Sequence, residues 1–181
     1  LNGLASRGAI DAVQIRQKSY RTRELLRFTR AVIATARPFG VRVLVNERAD
    51  IALAAEADGV HLPGHALSPL ILRRLGIGVI GVSCHDAGEL ARAEREGADF
   101  AVLAPVFAPL SKESGTPPLG LARFEQLARA VRIPVLALGG VTPGNTAACL
   151  AAGAAGVAGI TLFSDAYPHP STETAGRPEP R

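Results

Sequence analysis

Aromatic side chains make up only 4% of this 181-residue chain and tryptophan is absent, which removes the ring platform on which proteins stack single-stranded nucleic acid. Cysteine is almost missing as well. Cys84 and Cys149 are too few and too far apart for a disulfide framework or a zinc site, so a reducing cytoplasm is the expected setting. Nothing in the sequence resembles a signal peptide or a membrane span. Lysine is scarce too: arginine carries the positive charge almost everywhere, and the only two lysines are Lys18 and Lys112, where a compact, flexible ammonium is expected to matter. Much of the net charge of +4 comes from arginines before Val60, among them Arg16, Arg21, Arg23, Arg27, Arg30 and Arg37. Several of these share one outward helix face, which reads as a solvated surface and not as a nucleic-acid groove. The expected partners are small anions, with neither nucleic acid nor membrane.

Small and branched aliphatics fill the space left by the aromatics. A hydrophobic content of 48% over 181 residues suits one α/β domain with buried parallel strands and Ala-rich covering helices. Short apolar runs predict strands near 12–16, 41–46, 58–62, 77–83, 100–104, 133–138 and 156–162. Between them, the clearest helices are Thr22–Ala36, with a stripe of Leu25, Leu26, Val32 and Ile33, then Asp86–Glu96, Leu121–Val131 and Thr142–Ala152. Two recurring phrases, Glu56-Ala57-Asp58-Gly59-Val60 and Glu96-Gly97-Ala98-Asp99-Phe100, read as repeated βα units in which a glycine ends a helix and the next strand starts at once. Strict alternation implies a parallel sheet, wound open or closed into a barrel.

A closed barrel of this type needs eight strands, one more than the pattern supplies. Residues 1–11 read as the end of a helix, so the first strand is expected to lie upstream of this chain, and its absence would leave apolar edges open to self-association. Residues 164–181 are polar and Pro-rich, which predicts a disordered tail behind a domain over 1–163.

Two features point to anion chemistry. Gln14, Arg16 and Lys18 stand at alternate positions, so an extended chain would turn all three to one face. The strand ends Gly139-Gly140 and Gly156 to Thr161 supply glycines through which backbone amides approach a phosphate, in the loops that commonly hold one in barrels. His61 and His85 read as packing or hydrogen-bonding residues, Cys84 as a small buried hydrophobe, Asp50 as a helix-start residue, and Asp99 as structural.

These residues resemble a known family. Val13 to Lys18, Val45-Asn46-Glu47-Arg48-Ala49-Asp50, Ala57-Asp58-Gly59-Val60-His61-Leu62, Gly81-Val82-Ser83-Cys84-His85, Ala104-Pro105-Val106-Phe107, Lys112, Pro118-Leu119-Gly120-Leu121 and Gly139-Gly140 are similar, in order and spacing, to successive strand ends of thiamine-phosphate synthases and their TenI relatives. The resemblance implies a TIM (β/α)8 barrel. It also implies condensation of hydroxymethylpyrimidine diphosphate with thiazole phosphate to release diphosphate. By that resemblance Arg16, Lys18 and Lys112 are the catalytic cations, while Gln14, Asn46, Ser83 and Ser111 add contacts to the diphosphate. Gly139, Gly140, Ile160 and Thr161 would cradle the thiazole phosphate. The family holds Mg²⁺ on two aspartates. One position is Glu47; the other falls on Ala66, which cannot ligate, so Mg²⁺ binding is expected to be weak or lost unless His65, Glu56 or water substitutes. Two alternatives follow from that departure. A TenI-like thiazole tautomerase would need no metal, but its proton-transferring histidine is replaced by Pro105, so Glu47 or His85 would have to serve. A non-catalytic phosphate binder would need no chemistry at all.

Overall fold

The computed structural model describes residues 10–108, 117–160 and Leu162. Seven strands form one all-parallel sheet in chain order: β1 Ala12–Ile15, β2 Arg42–Asn46, β3 Gly59–Leu62, β4 Val79–Cys84, β5 Phe100–Leu103, β6 Val135–Ala137 and β7 Gly156–Val157. The sheet curls into a half-barrel. Helices α1 Thr22–Ala36, α2 Ala49–Ala55, α3 Pro69–Arg74, α4 Ala87–Arg95, α5 Gly120–Ala128 and α6 Pro143–Ala151 connect the strands and cover the outer face. The expected helix at 1–11 lies largely outside the described residues, and the expected tail at 164–181 lies wholly outside them.

Most of the core lies between sheet and helices. Val43, Val45, Val60, Ile80, Val82 and Leu103 from the strands join Leu25, Ile33, Ile51, Leu72, Leu90 and Phe124 from the helices in one buried cluster. The buried stripe of α1 is Leu25, Thr29, Ile33 and Ala36, at the 3.6-residue period of a packed helix face. Leu26 and Val32, expected at its centre, are half-buried at its margins. Thr29 was hidden from a hydrophobicity pattern by its hydroxyl, which is buried without a partner. Helices α2 and α3, of 7 and 6 residues, are too short for the apolar period to mark them clearly.

The two recurring phrases have the same architecture. Asp58 donates its amide to the Val43 carbonyl (3.0 Å) and accepts the Val43 amide on Oδ2 (2.7 Å). Asp99 does the same to Ile80, at 2.8 and 2.7 Å. Each aspartate thus clips its own strand to the start of the preceding one, and Arg73 adds an ion pair to Asp99 at 2.7 Å. Asp99 is structural, as expected. The glycine reading holds only for the second phrase, where Gly97 has φ +79. In the first, Glu56 itself takes the left-handed conformation that ends α2, with φ 55. Gly59 lies inside β3 instead, where a Cβ would come within 1.8 Å of the Val79 carbonyl oxygen.

Two early strand ends bear on the site. β7 covers Gly156–Val157 only. β1 stops at Ile15, and Lys18 lies in a turn beyond it. The alternation that would aim Gln14, Arg16 and Lys18 at one face therefore lapses after the strand.

Candidate active site at the strand ends

Inner-face positions follow from register. Asn46 pairs with His61, His61 with Gly81, and Gly81 with Phe100, and side chains at paired positions of a parallel sheet share a face. The helix-facing alternates, Val45, Val60, Ile80 and Val82, fill the core, so the polar residues are left on the concave side.

Across the β1–β2 seam, Gln14 Nε2 donates to Asn46 Oδ1 at 2.8 Å, and Asn46 Nδ2 donates to Glu47 Oε2 at 3.1 Å. The chain of donors ends on an exposed carboxylate. Glu47 holds φ 61, a left-handed conformation that costs a non-glycine residue about 1 kcal/mol. That turn directs the chain from β2 into α2 and leaves the Glu47 side chain at the mouth. The next two residues anchor the loop: Arg48 forms a two-point pair with Asp50 (2.6 and 2.8 Å) and reaches Thr22 Oγ1 at 3.3 Å. Each partner stabilises the other's charge, raising the Arg48 pKa and lowering that of Asp50 through their hydrogen bonds. Asp50 sits in the first turn of α2, the helix-start role expected of it, and its carboxylate is committed to Arg48.

Deeper in the concave face, His61 Nε2 and Ser83 Oγ lie 2.8 Å apart. The imidazole is only 6% exposed. Its ring meets Phe100 edge-on at 5.9 Å between centroids. Gly81 makes room for that arrangement, because a Cβ there would sit 2.2 Å from the Phe100 ring. Burial, with a smaller contribution from the positive charge of Arg16, pushes the His61 pKa down to about 4. The ring is therefore neutral near pH 7. His61 is a hydrogen-bonding residue, as expected, but its partner could not be read from sequence. The only local signal was a histidine interrupting an otherwise apolar strand.

His85 is likewise a hydrogen-bonding residue: its amide and its Nδ1 both contact Glu89 Oε2, at 2.7 and 2.9 Å. Cys84 points the other way and is fully buried. Burial, reinforced by the Glu89 and Asp86 charges, pushes its thiol up to about 12, so it is a packing residue without nucleophilic character.

At the end of β6, Gly139 (φ +95) and Gly140 (φ +61) turn the chain against the strand end of β5. A Cβ on Gly139 would lie 2.7 Å from the Pro105 Cα, and one on Gly140 2.4 Å from the Ala108 carbonyl oxygen. Neither position tolerates a side chain. The loop then enters α6: the Thr142 amide donates to Asn145 Oδ1 (2.7 Å), and Asn145 Nδ2 donates to the Gly140 carbonyl (3.0 Å). Glycine backbone leading into a helix N-terminus is suited to a phosphate.

Thus the structure links Gln14, Asn46 and Glu47 directly and bonds Ser83 to His61, while Arg16 is exposed just beyond the end of β1. Lys18 is exposed in its turn, and Ile160 is 81% exposed. Ser111, Lys112 and Thr161 lie outside the described residues. Of the side chains expected as substitutes for a second metal ligand, Glu56 is excluded by topology. It ends α2 at the opposite end of the strands, about 10 Å of helix away from the mouth. His65 is exposed in the turn after β3. Among the described residues no group of three or more His, Cys, Asp or Glu gathers to hold a metal. Glu47 remains as one carboxylate beside the amides of Gln14 and Asn46. That set suits an ion that keeps several waters and takes its other ligands from substrate phosphates.

A family model described as thiamine monophosphate synthase matches residues 3–163. A putative thiamine-phosphate synthase of Geobacter sulfurreducens is 44% identical over 158 residues, covering 86% of this chain and 74% of that one. A thiamine-phosphate synthase of Chlorobium luteolum is 41% identical over 175 residues, covering 96% and 81%. The solved thiamine phosphate pyrophosphorylase from Pyrococcus furiosus superposes with a TM-score of 0.77 at 29% identity, over 88% of this chain and 76% of that one.

Proposed function

Because the chain belongs to the thiamine monophosphate synthase family, we propose that it acts in thiamine biosynthesis as a thiamine-phosphate synthase. It joins hydroxymethylpyrimidine diphosphate to thiazole phosphate and releases diphosphate. The observation that carries the reading is the Gln14–Asn46–Glu47 chain at the mouth of the sheet, with Arg16 exposed just beyond the end of β1.

Loss of diphosphate leaves positive charge on the pyrimidine methylene, which the thiazole nitrogen captures. The protein's task is to stabilise a departing polyanion and to hold two substrates in line. Gln14, Asn46 and Ser83 supply hydrogen-bond donors to the diphosphate, and Arg16, Lys18 and Lys112 supply charge, with Ser111 beside Lys112. The glycines at 139 and 140, with Ile160 and Thr161, receive the thiazole phosphate and so fix the nucleophile's distance. Glu47 would hold Mg²⁺ together with substrate oxygens, and with Ala66 in place of the second carboxylate that hold is weak. When bound, the ion supplies charge neutralisation on the leaving group.

The proposal extends to architecture. Among the described residues β1 and β7 each pair on one side only, and one further strand between them would close a (β/α)8 barrel. The family match ending at residue 163 supports a domain over 1–163 with 164–181 as a tail. Open edges of this kind also favour self-association until they are covered. Among the described residues no helix is long and apolar enough to cross a membrane, which is compatible with a cytoplasmic enzyme. A tautomerase is not favoured: Pro105, packed against Gly139, offers no proton to transfer.

The test mixes the protein with both substrates and Mg²⁺ and follows diphosphate and thiamine phosphate. Stoichiometric appearance of both products is expected. Binding of thiazole phosphate without turnover would instead identify a non-catalytic binder.

A further inference from the structure

A serine hydroxyl carries one proton, so it can donate in only one direction at a time. Ser83 Oγ lies 2.8 Å from His61 Nε2, and one of the two must donate to the other. If Ser83 donates, its proton points into the sheet and only lone pairs face the mouth, where they would repel an anion. If His61 donates, the Ser83 proton is free to point outward.

The surroundings of the ring leave it little choice of position. His61 is buried at 6% exposure and flanked edge-on by Phe100 at 5.9 Å. Its register partner is Gly81, the residue whose missing side chain admits the Phe100 ring. Three elements thus hold the imidazole so that Nε2 faces Ser83, although burying a histidine in an aliphatic sheet carries a desolvation cost. A valine or leucine would pack there without that cost. The Gln14–Asn46–Glu47 chain lies at the same end of the sheet, Asn46 being the register partner of His61, and where that mouth receives an anion a free hydroxyl proton has a use.

We infer that His61 is a positioning residue which donates from Nε2 to Ser83 Oγ and so commits the Ser83 hydroxyl as a donor to the departing diphosphate. This rests on the synthase reading for the identity of the anion, but the direction of the hydrogen bond does not depend on it. His61 touches no reacting atom. It acts through Ser83 alone.

Two measurements on the full chain test this. Long-range ¹⁵N–¹H correlation spectra of the ligand-free protein report which His61 nitrogen carries the proton; a protonated Nε2 is expected, and a proton on Nδ1 alone would overturn the inference. Calorimetric titration with inorganic diphosphate and Mg²⁺ then compares His61→Leu, His61→Gln, Ser83→Ala and the His61→Leu/Ser83→Ala double variant, each checked for folding by thermal melt. His61→Leu and Ser83→Ala should each weaken diphosphate binding about tenfold, the scale of one hydrogen bond to a charged acceptor. The double variant should be no weaker than Ser83→Ala, and His61→Gln, which keeps an amide donor, should recover most of the loss. Additive losses would show that His61 acts through general packing and would sink the idea. Diphosphate binding without turnover would count against the synthase reading while leaving this test intact.

Discussion

Gln14 and Asn46, 32 residues apart in sequence, are joined by a 2.8 Å side-chain hydrogen bond that closes the seam between β1 and β2. Asn46 is the shared member of this seam, since it also donates to Glu47. Removing it cuts both links while disturbing a half-exposed position.

Asn46→Ala should therefore lower kcat/KM for thiamine phosphate formation by about 100-fold, the scale of losing one preorganised donor to a developing anion. Stability should change by no more than about 1 kcal/mol, because no core contact is lost. Steady-state kinetics beside a urea melt checks both. A large stability loss with unchanged kinetics would put Asn46 in the scaffold and not in the site.

Ala66 occupies the position where the family's second metal-holding aspartate is expected, in the turn after β3 where its amide bonds the Pro63 carbonyl at 3.0 Å. Ala66→Asp should lower the Mg²⁺ concentration that gives half-maximal rate by about tenfold, and Glu47→Gln should raise it. Mg²⁺ titrations of the three proteins decide the point. Identical curves would remove Glu47 from the metal site.

Protonation of His61 links pH to stability. Its pKa falls from 6.5 to about 4 on folding, so between those values the unfolded chain binds more protons than the native one, and stability rises with pH. The contribution is complete above pH 6.5 and is lost as pH falls through 4. The depressed pKa corresponds to about 3 kcal/mol across that window. Urea melts between pH 4 and 7 should show this slope, and in His61→Gln the slope should flatten. An unchanged slope in the variant would assign it to other groups.

Glu56 ends α2 with φ 55, a conformation in which glycine carries no Cβ penalty. Glu56→Gly should stabilise the protein by about 0.5–1 kcal/mol, seen as a rise of about 2 °C in Tm. Activity should not change, because this residue lies at the end of the strands remote from the site. A fall in Tm would mean that the side chain makes contacts worth more than the strain.

The sequence was most legible where structure is local. Helix α1 begins and ends where its pattern places it, and Asp86 caps α4 by accepting the Glu89 amide at 2.9 Å. Both signals arise within a few neighbouring residues, so no tertiary contact is needed to read them. Gln14-x-Arg-x-Lys was legible as a run of polar side chains at a strand end but not as a geometry. Its alternation assumed a strand running to Lys18, whereas β1 stops at Ile15.

By itself, then, the sequence determined the βα alternation, the parallel sheet, the family and the glycines that keep side chains away from the β6 end. Those features depend on periodicity and on single residue types, which the chain carries wherever it folds. Only the tertiary structure decided that Gln14 meets Asn46 and that His61 meets Ser83. Each of these depends on the register and curl of strands brought together from distant parts of the chain. A one-residue change in register would turn every one of those side chains to the opposite face.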